Sequence, residues 1–96
     1  MAEIRWTYEA ELWLREIYDY IALDNPRVAK EVVDGIYSTA QMLNDYPEMG
    51  YKYQAPGMDD IRILLYRHYR ITYLILENRI DILGVFHGAL DIDKYL

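Results

Sequence analysis

Glu3 to Trp6 alternates polar and apolar side chains, the period of a short strand. Thr7 then offers a hydroxyl able to cap a helix, and Glu9 and Glu11 follow in the first turn, where exposed amides favour carboxylates. Ala10, Trp13, Leu14, Ile17 and Ile21 recur at helical spacing, which predicts a first helix over Tyr8–Leu23. Asp24-Asn25-Pro26 breaks it. Asn25 can cap a second helix whose first position is Pro26, where a missing N–H leaves nothing unsatisfied. Ala29, Val32, Val33, Ile36, Ala40 and Leu43 form the second apolar stripe. This helix should end near Asp45, because Pro47 cannot continue it and Gly50 belongs to the following turn. So short a connection makes the two helices an antiparallel hairpin.

Tyr46 to Asp60 holds Pro47, Gly50, Pro56 and Gly57 without periodicity and reads as a long loop. Beyond it the period changes. Ile61–Tyr66, Tyr69–Leu76 and Arg79–Phe86 are rich in Ile, Leu, Tyr, Val and Thr at strand length, with Arg67-His68 and Glu77-Asn78 as tight hairpin turns. The order strand, helix, helix, strand, strand, strand predicts one α+β domain over residues 1–96, built in two layers. The N-terminal strand extends a three-stranded antiparallel meander, and one face of that sheet meets the helical hairpin.

Composition agrees with a folded chain: 53% of the 96 residues are apolar and 15% aromatic, enough burial to offset the entropy of ordering. The net charge of −6 argues against bulk attraction to nucleic acid. Absence of cysteine excludes disulfides, thiolate nucleophiles and cysteine-based zinc sites. His68 and His87 are the only histidines and lack metal-ligand spacing, so no metal and no cofactor is expected. Neither a signal peptide nor a long apolar run is present, which points to a cytoplasmic protein with no membrane partner.

Charge is unevenly spread. Ile61 to Tyr73 contains Arg62, Arg67, His68 and Arg70 and no acid, while Glu9, Glu11, Glu16, Asp19, Asp24, Glu31, Asp34 and Asp45 crowd the helices. A cationic sheet region could receive a phosphate backbone or an acidic peptide. The same arginines could instead pair with Asp59, Asp60 and Glu77 as ordinary surface charges. His87 closes the last strand and could exchange protons near neutral pH, or could be simply a hydrogen-bonded strand end. Tyr69, Tyr73 and Tyr95 could stack on bases or donate protons, although eleven tyrosines mean that most of them pack. Trp6 and Trp13 read as packing residues. No nucleophilic triad and no glycine-rich phosphate loop is present.

Ile4-Arg5-Trp6-Thr7 leading to Ala10-Glu11, Ile17-Tyr18-Asp19-Tyr20-Ile21, Pro47-Glu48-Met49-Gly50, Tyr69-Arg70-Ile71-Thr72-Tyr73 and Ile82-Leu83-Gly84-Val85-Phe86-His87-Gly88 follow one another across nearly the whole chain. In this order they resemble the RelE/ParE superfamily of small bacterial toxins encoded beside an antitoxin. The His-Gly ending and the helix and turn pieces look most like its ParE-like and plasmid-stabilisation members. The resemblance implies a type II toxin that binds and inhibits DNA gyrase and is neutralised by a cognate antitoxin. The RelE-like branch implies instead a ribosome-dependent endoribonuclease acting on mRNA. A third alternative is a non-toxic homologue retained as a binding protein.

Residue by residue, Arg70 matches the central-strand arginine of the ribonucleases, Arg62 falls near one of their basic positions, and Tyr95 could stand for their C-terminal tyrosine. His87 matches a histidine found in some ribonuclease members and in many ParE-like ones. Catalytic roles for Arg70, His87 and Tyr95 therefore apply only to a ribonuclease, whereas Arg62, Arg67, Arg70 and His87 are the expected partner-binding residues. Gly88-Ala89-Leu90-Asp91 departs from the nuclease pattern, which tends to place further basic residues there. The antitoxin contact should be mainly apolar, with acidic anchors on Arg62 and Arg70. A homodimer and a toxin–antitoxin hetero-oligomer both remain open.

Overall fold

Thr7 begins the helical layer as expected. Its backbone is extended and its hydroxyl accepts the Ala10 amide at 3.1 Å while donating to the Ile82 carbonyl at 2.7 Å. One side chain thus caps a helix and fastens it to the last strand. The computed structural model describes residues 3–54, 56–57 and 60–88. In it α1 spans Tyr8–Ala22 and α2 spans Pro26–Gln41, and Asn25 accepts the Arg27 and Val28 amides to cap α2. A turn of 3₁₀ helix over Met42–Asn44 finishes the path near the expected stop and buries Leu43.

The strands are β1 (Glu3–Trp6), β2 (Tyr51–Lys52), β3 (Ile61–Tyr66), β4 (Tyr69–Ile75) and β5 (Arg79–His87), ordered β1-β5-β4-β3-β2 in one sheet. β3, β4 and β5 form the antiparallel meander, and β1 lies parallel to β5. The long-loop expectation needs one correction, since Tyr51–Lys52 pairs antiparallel with Ile63 and Arg62. Two residues are too few to show a period, so this strand left no pattern in the sequence.

One face of the sheet carries the core. Ala10, Val32, Ile36, Ala40 and Leu43 pack against Leu64, Ile71, Tyr73, Ile80, Ile82 and Val85. Val33, expected in the stripe, is only half-buried. The face changes partway along β5, because Thr72 pairs with Gly84 and Tyr73 with Ile82, leaving Leu83 as an extra residue. Ile80 and Ile82 face the helices before this bulge, and Val85 does so after it. Phe86 turns instead to the other face, where it joins Ile63, Tyr53 and the edge of Trp13. Gly84 makes room there, since a Cβ would come within 2.6 Å of the Phe86 ring.

Two polar clusters hold the margins. Asp81, only 7% exposed at its side chain, accepts from Arg5 at 3.1 and 3.0 Å and from Arg79 at 2.9 Å, locking β1 onto β5. At the opposite margin the Tyr73 hydroxyl donates to the Pro47 carbonyl at 2.8 Å and accepts the Gly50 amide at 2.9 Å. Among the described residues no helix is long and apolar enough to cross a membrane.

Candidate functional site

The two-residue turn between β3 and β4 puts Arg67 at φ 53°, in the left-handed region that side chains avoid at about 1–2 kcal/mol. It is the one non-glycine residue of positive φ among those described. Its guanidinium lies over the Tyr66 ring, 5.3 Å from the centroid, an attraction that offsets part of the strain. Tyr66 in turn rests on α2 at Gly35, where a Cβ would collide with the phenol oxygen. A helix glycine, a tyrosine ring and a strained arginine therefore stack in sequence to project a cation at the sheet end.

The last strand closes onto the same turn. The Gly88 amide donates to the His68 carbonyl at 2.7 Å, and Tyr69 pairs with His87 and Arg70 with Phe86. The His87 ring meets Tyr69 edge-on at 5.8 Å and stacks loosely with His68 at 6.3 Å. Burial, followed by the neighbouring Tyr20 hydroxyl, holds the Tyr69 phenol above its usual pKa, so it stays protonated at neutral pH. Leu65, Arg67, His68, Tyr69, Arg70, His87 and Gly88 line an open hollow of about 470 Å³.

The hollow wraps around the end of the sheet. Tyr69 packs toward the helical core, and His87 opposite it shares that face. Arg70, the next residue on β4, belongs to the other face beside Leu65 and Phe86. No hydrogen bond or ion pair joins its guanidinium to another described residue.

Arg67, Arg70 and His87 are thus brought together, along with His68, but Arg62 is not. It pairs with Tyr73, about 13 Å down β3 from Tyr66 at strand rise. Its side chain is 14% exposed and donates to the Gly50 carbonyl at 2.7 Å, the Glu48 carbonyl at 3.2 Å and Glu48 Oε1 at 3.3 Å. Glu48 takes the place of the acids near Arg62 in sequence, and neither Asp60 nor Glu77 joins an ion pair among the described residues. Asp59 and Tyr95 lie outside the described residues, as does the segment after Gly88.

The Arg5–Asp81–Arg79 cluster and the Tyr73 clamp were not foreseen. Arg5 and Asp81 are separated by 76 residues and Tyr73 and Pro47 by 26, so only the tertiary fold joins them, whereas Arg79 lies two residues from Asp81 on the same strand. The described residues hold no group of three or more metal-ligating side chains.

Comparison with known proteins agrees with this geometry. The family model of the ParE toxin of the type II toxin-antitoxin system, parDE, matches residues 4–92. Toxin RelE2 of Caulobacter vibrioides is 28% identical over 89 residues, covering 93% of this chain and 98% of the relative. The solved structure of a chromosomal ParDE TA system from P. aeruginosa contains a similar chain, with a TM-score of 0.76, 26% identity, and coverage of 91% of this chain and 96% of that one. With strand order, helical hairpin and matched length all in accord, the chain belongs to the ParE toxin family of type II toxin-antitoxin systems, within the RelE/ParE superfamily.

Proposed function

We propose that this chain is a bacterial, cytoplasmic toxin that acts by binding DNA gyrase and inhibiting it, with no bond-breaking chemistry of its own. The observation that carries the reading is the register that sets Arg70 and His87 on opposite faces of the sheet. A nuclease that stabilises a phosphate with Arg70 and moves a proton at His87 needs both within reach of one phosphodiester. The net charge of −6 also disfavours docking into ribosomal RNA, where affinity rests on cations. In this reading Arg67, Arg70 and His87 contact the target, and Arg62 contributes through the turn it holds. A cognate antitoxin covers this surface, in keeping with the ParDE assembly named for the structural relative.

One observation favours a second reading. The curated relative is named RelE2, and Arg67, Arg70, His68 and His87 do share one hollow. A ribosome-dependent endoribonuclease would use Arg70 on the phosphate and His87 or Tyr95 for proton transfer.

Induced expression in a bacterial host without antitoxin, followed by pulse labelling, separates the two. DNA synthesis should fail before protein synthesis. Early failure of protein synthesis with cleaved mRNA would move the assignment to the nuclease, and normal growth with folded protein present would contradict the toxin reading. His87→Gln should keep most of the potency, whereas a nuclease relying on it would lose about 100-fold or more.

A further inference from the structure

The two edges of the sheet are finished differently. At one edge β1 reads Glu3-Ile4-Arg5-Trp6, with a charge at every second position, a pattern that discourages further strands from pairing there. At the other edge β2 covers only part of β3. Tyr51 and Lys52 pair with Ile63 and Arg62, and the Tyr53 amide donates to the Ile61 carbonyl at 2.9 Å. Before Tyr51 the chain bends off the edge, because the Gly50 amide donates to the Tyr73 hydroxyl and its carbonyl accepts from Arg62. Leu64, Leu65 and Tyr66 therefore pair with β4 on one side and with no described residue on the other. This open stretch of edge carries no charge of its own.

Backbone direction alternates along an antiparallel strand, so the Tyr53–Ile61 bond fixes the phase. Ile61, Ile63 and Leu65 turn their N–H and C=O toward the β2 side, and of these Leu65 lies past the end of β2. Its side chain is 57% exposed, more than any other large apolar side chain on β3, β4 or β5. Leu65 also stands directly opposite Arg70, on the sheet face away from the helices, and lines one hollow with Arg67 and His68. Outward backbone groups, a bare apolar side chain and cations thus meet at one residue. A strand laid beside it, collinear with β2, would take up the backbone groups and cover the leucine. Charge decides whose strand it is. Ile61 to Tyr73 contains no acid, so the incoming segment supplies the carboxylates. A second copy fits badly, since two β3 strands paired antiparallel about Leu65 would set Arg67 of the second copy opposite Ile63, the place Tyr51 already fills, and would crowd both sets of arginines together.

We propose that the target is held by strand addition: an extended, acidic segment of gyrase pairs with the open edge of β3 at Leu64–Tyr66 and aims a carboxylate at Arg70 or Arg67. The proposal rests on the reading that gyrase is the target, and adds how the chain grips it. Leu65 then acts through its backbone as much as through its side chain, which separates this mode of binding from a simple charge contact.

The test binds the isotope-labelled natural chain to purified gyrase, lets amides exchange with deuterium, then releases and quenches the chain for NMR. The Leu65 amide should exchange fast in the free chain and about tenfold or more slowly in the complex, while Leu64 and Tyr66, already bonded to β4, are slow in both. Variants give a second readout in the supercoiling assay. Leu65→Pro deletes only an outward donor, a change that edge strands tolerate, and should inhibit about tenfold or more weakly than Leu65→Ala, which keeps that donor. Lys52→Pro places its proline at an outward-facing amide of β2 and should inhibit as the natural chain does. Binding should weaken with salt, less steeply in Arg70→Ala. A Leu65 amide left unprotected in a stable complex, a folded Leu65→Pro equal to Leu65→Ala, a salt slope unchanged in Arg70→Ala, or dimerisation through β3 in sedimentation would each overturn the proposal. If Leu65→Pro does not fold, exchange in the natural chain decides. Inhibition of gyrase with Leu65 unprotected overturns the docking mode alone, whereas a natural chain that neither binds gyrase nor blocks supercoiling overturns the target reading and the docking mode with it.

Discussion

At the scale of single residues, similar arginines have dissimilar work. Arg62 holds two backbone carbonyls and the Glu48 carboxylate, so its loss removes charge-assisted hydrogen bonds from the 47–50 turn. Arg62→Ala should lower stability by about 1–3 kcal/mol in urea denaturation. Arg70→Ala should change stability by less than about 0.5 kcal/mol, because Arg70 is tied to no described partner, and should still abolish growth arrest. Asp81 supplies a pH test. Burial alone would raise its pKa, but hydrogen bonds from Arg79 and Arg5, with their charges, hold it below the usual carboxylate range. A carboxylate depressed by folding stabilises fully above its unfolded pKa and loses that contribution as pH falls through the folded value. Asp81→Asn should therefore cost about 1–3 kcal/mol at neutral pH. The gap between variant and natural chain should narrow below pH 4, and a gap independent of pH would refute the ionic account.

At the scale of elements, the turn between β3 and β4 depends on a helix distant in sequence but adjacent in the fold. Gly35→Ala should push Tyr66 off α2 and destabilise by about 1–3 kcal/mol through overpacking. Arg67→Gly relieves strain while losing the ring contact and adding chain entropy, effects that nearly cancel. Its melting temperature should stay within a few degrees of the natural chain while toxicity falls. A large loss of stability would mean that the arginine is there for folding. These elements differed in how plainly the sequence declared them. Thr7, Asn25-Pro26 and the two stripes are local signals, and both helices begin where those residues say. The extra residue Leu83 and the two-residue β2 have no local signal, since each exists only through pairing with a distant strand. Arg67, Arg70 and His87 could be singled out from sequence by charge and position, and they do line one hollow. The separation of Arg62 from them could not, because it is set by Glu48 and Gly50 across a loop.

At the scale of the molecule, an acidic chain carries a small cationic end built from Arg67 and Arg70, with His68 and His87 beside them. That polarity suits a protein target offering a local acidic patch better than it suits a polyanion, whose binding would be opposed by the remaining charge. The antitoxin complex should accordingly be mainly apolar in origin, losing less than about tenfold in affinity at 1 M salt, where exposed charge pairs are screened. The most direct measurement is a supercoiling assay with purified gyrase, run beside a translating extract programmed with a defined mRNA. The account predicts that the natural chain blocks supercoiling, that Arg70→Ala does not, and that the messenger stays intact. Unimpaired supercoiling together with ribosome-dependent cleavage of the mRNA would contradict it.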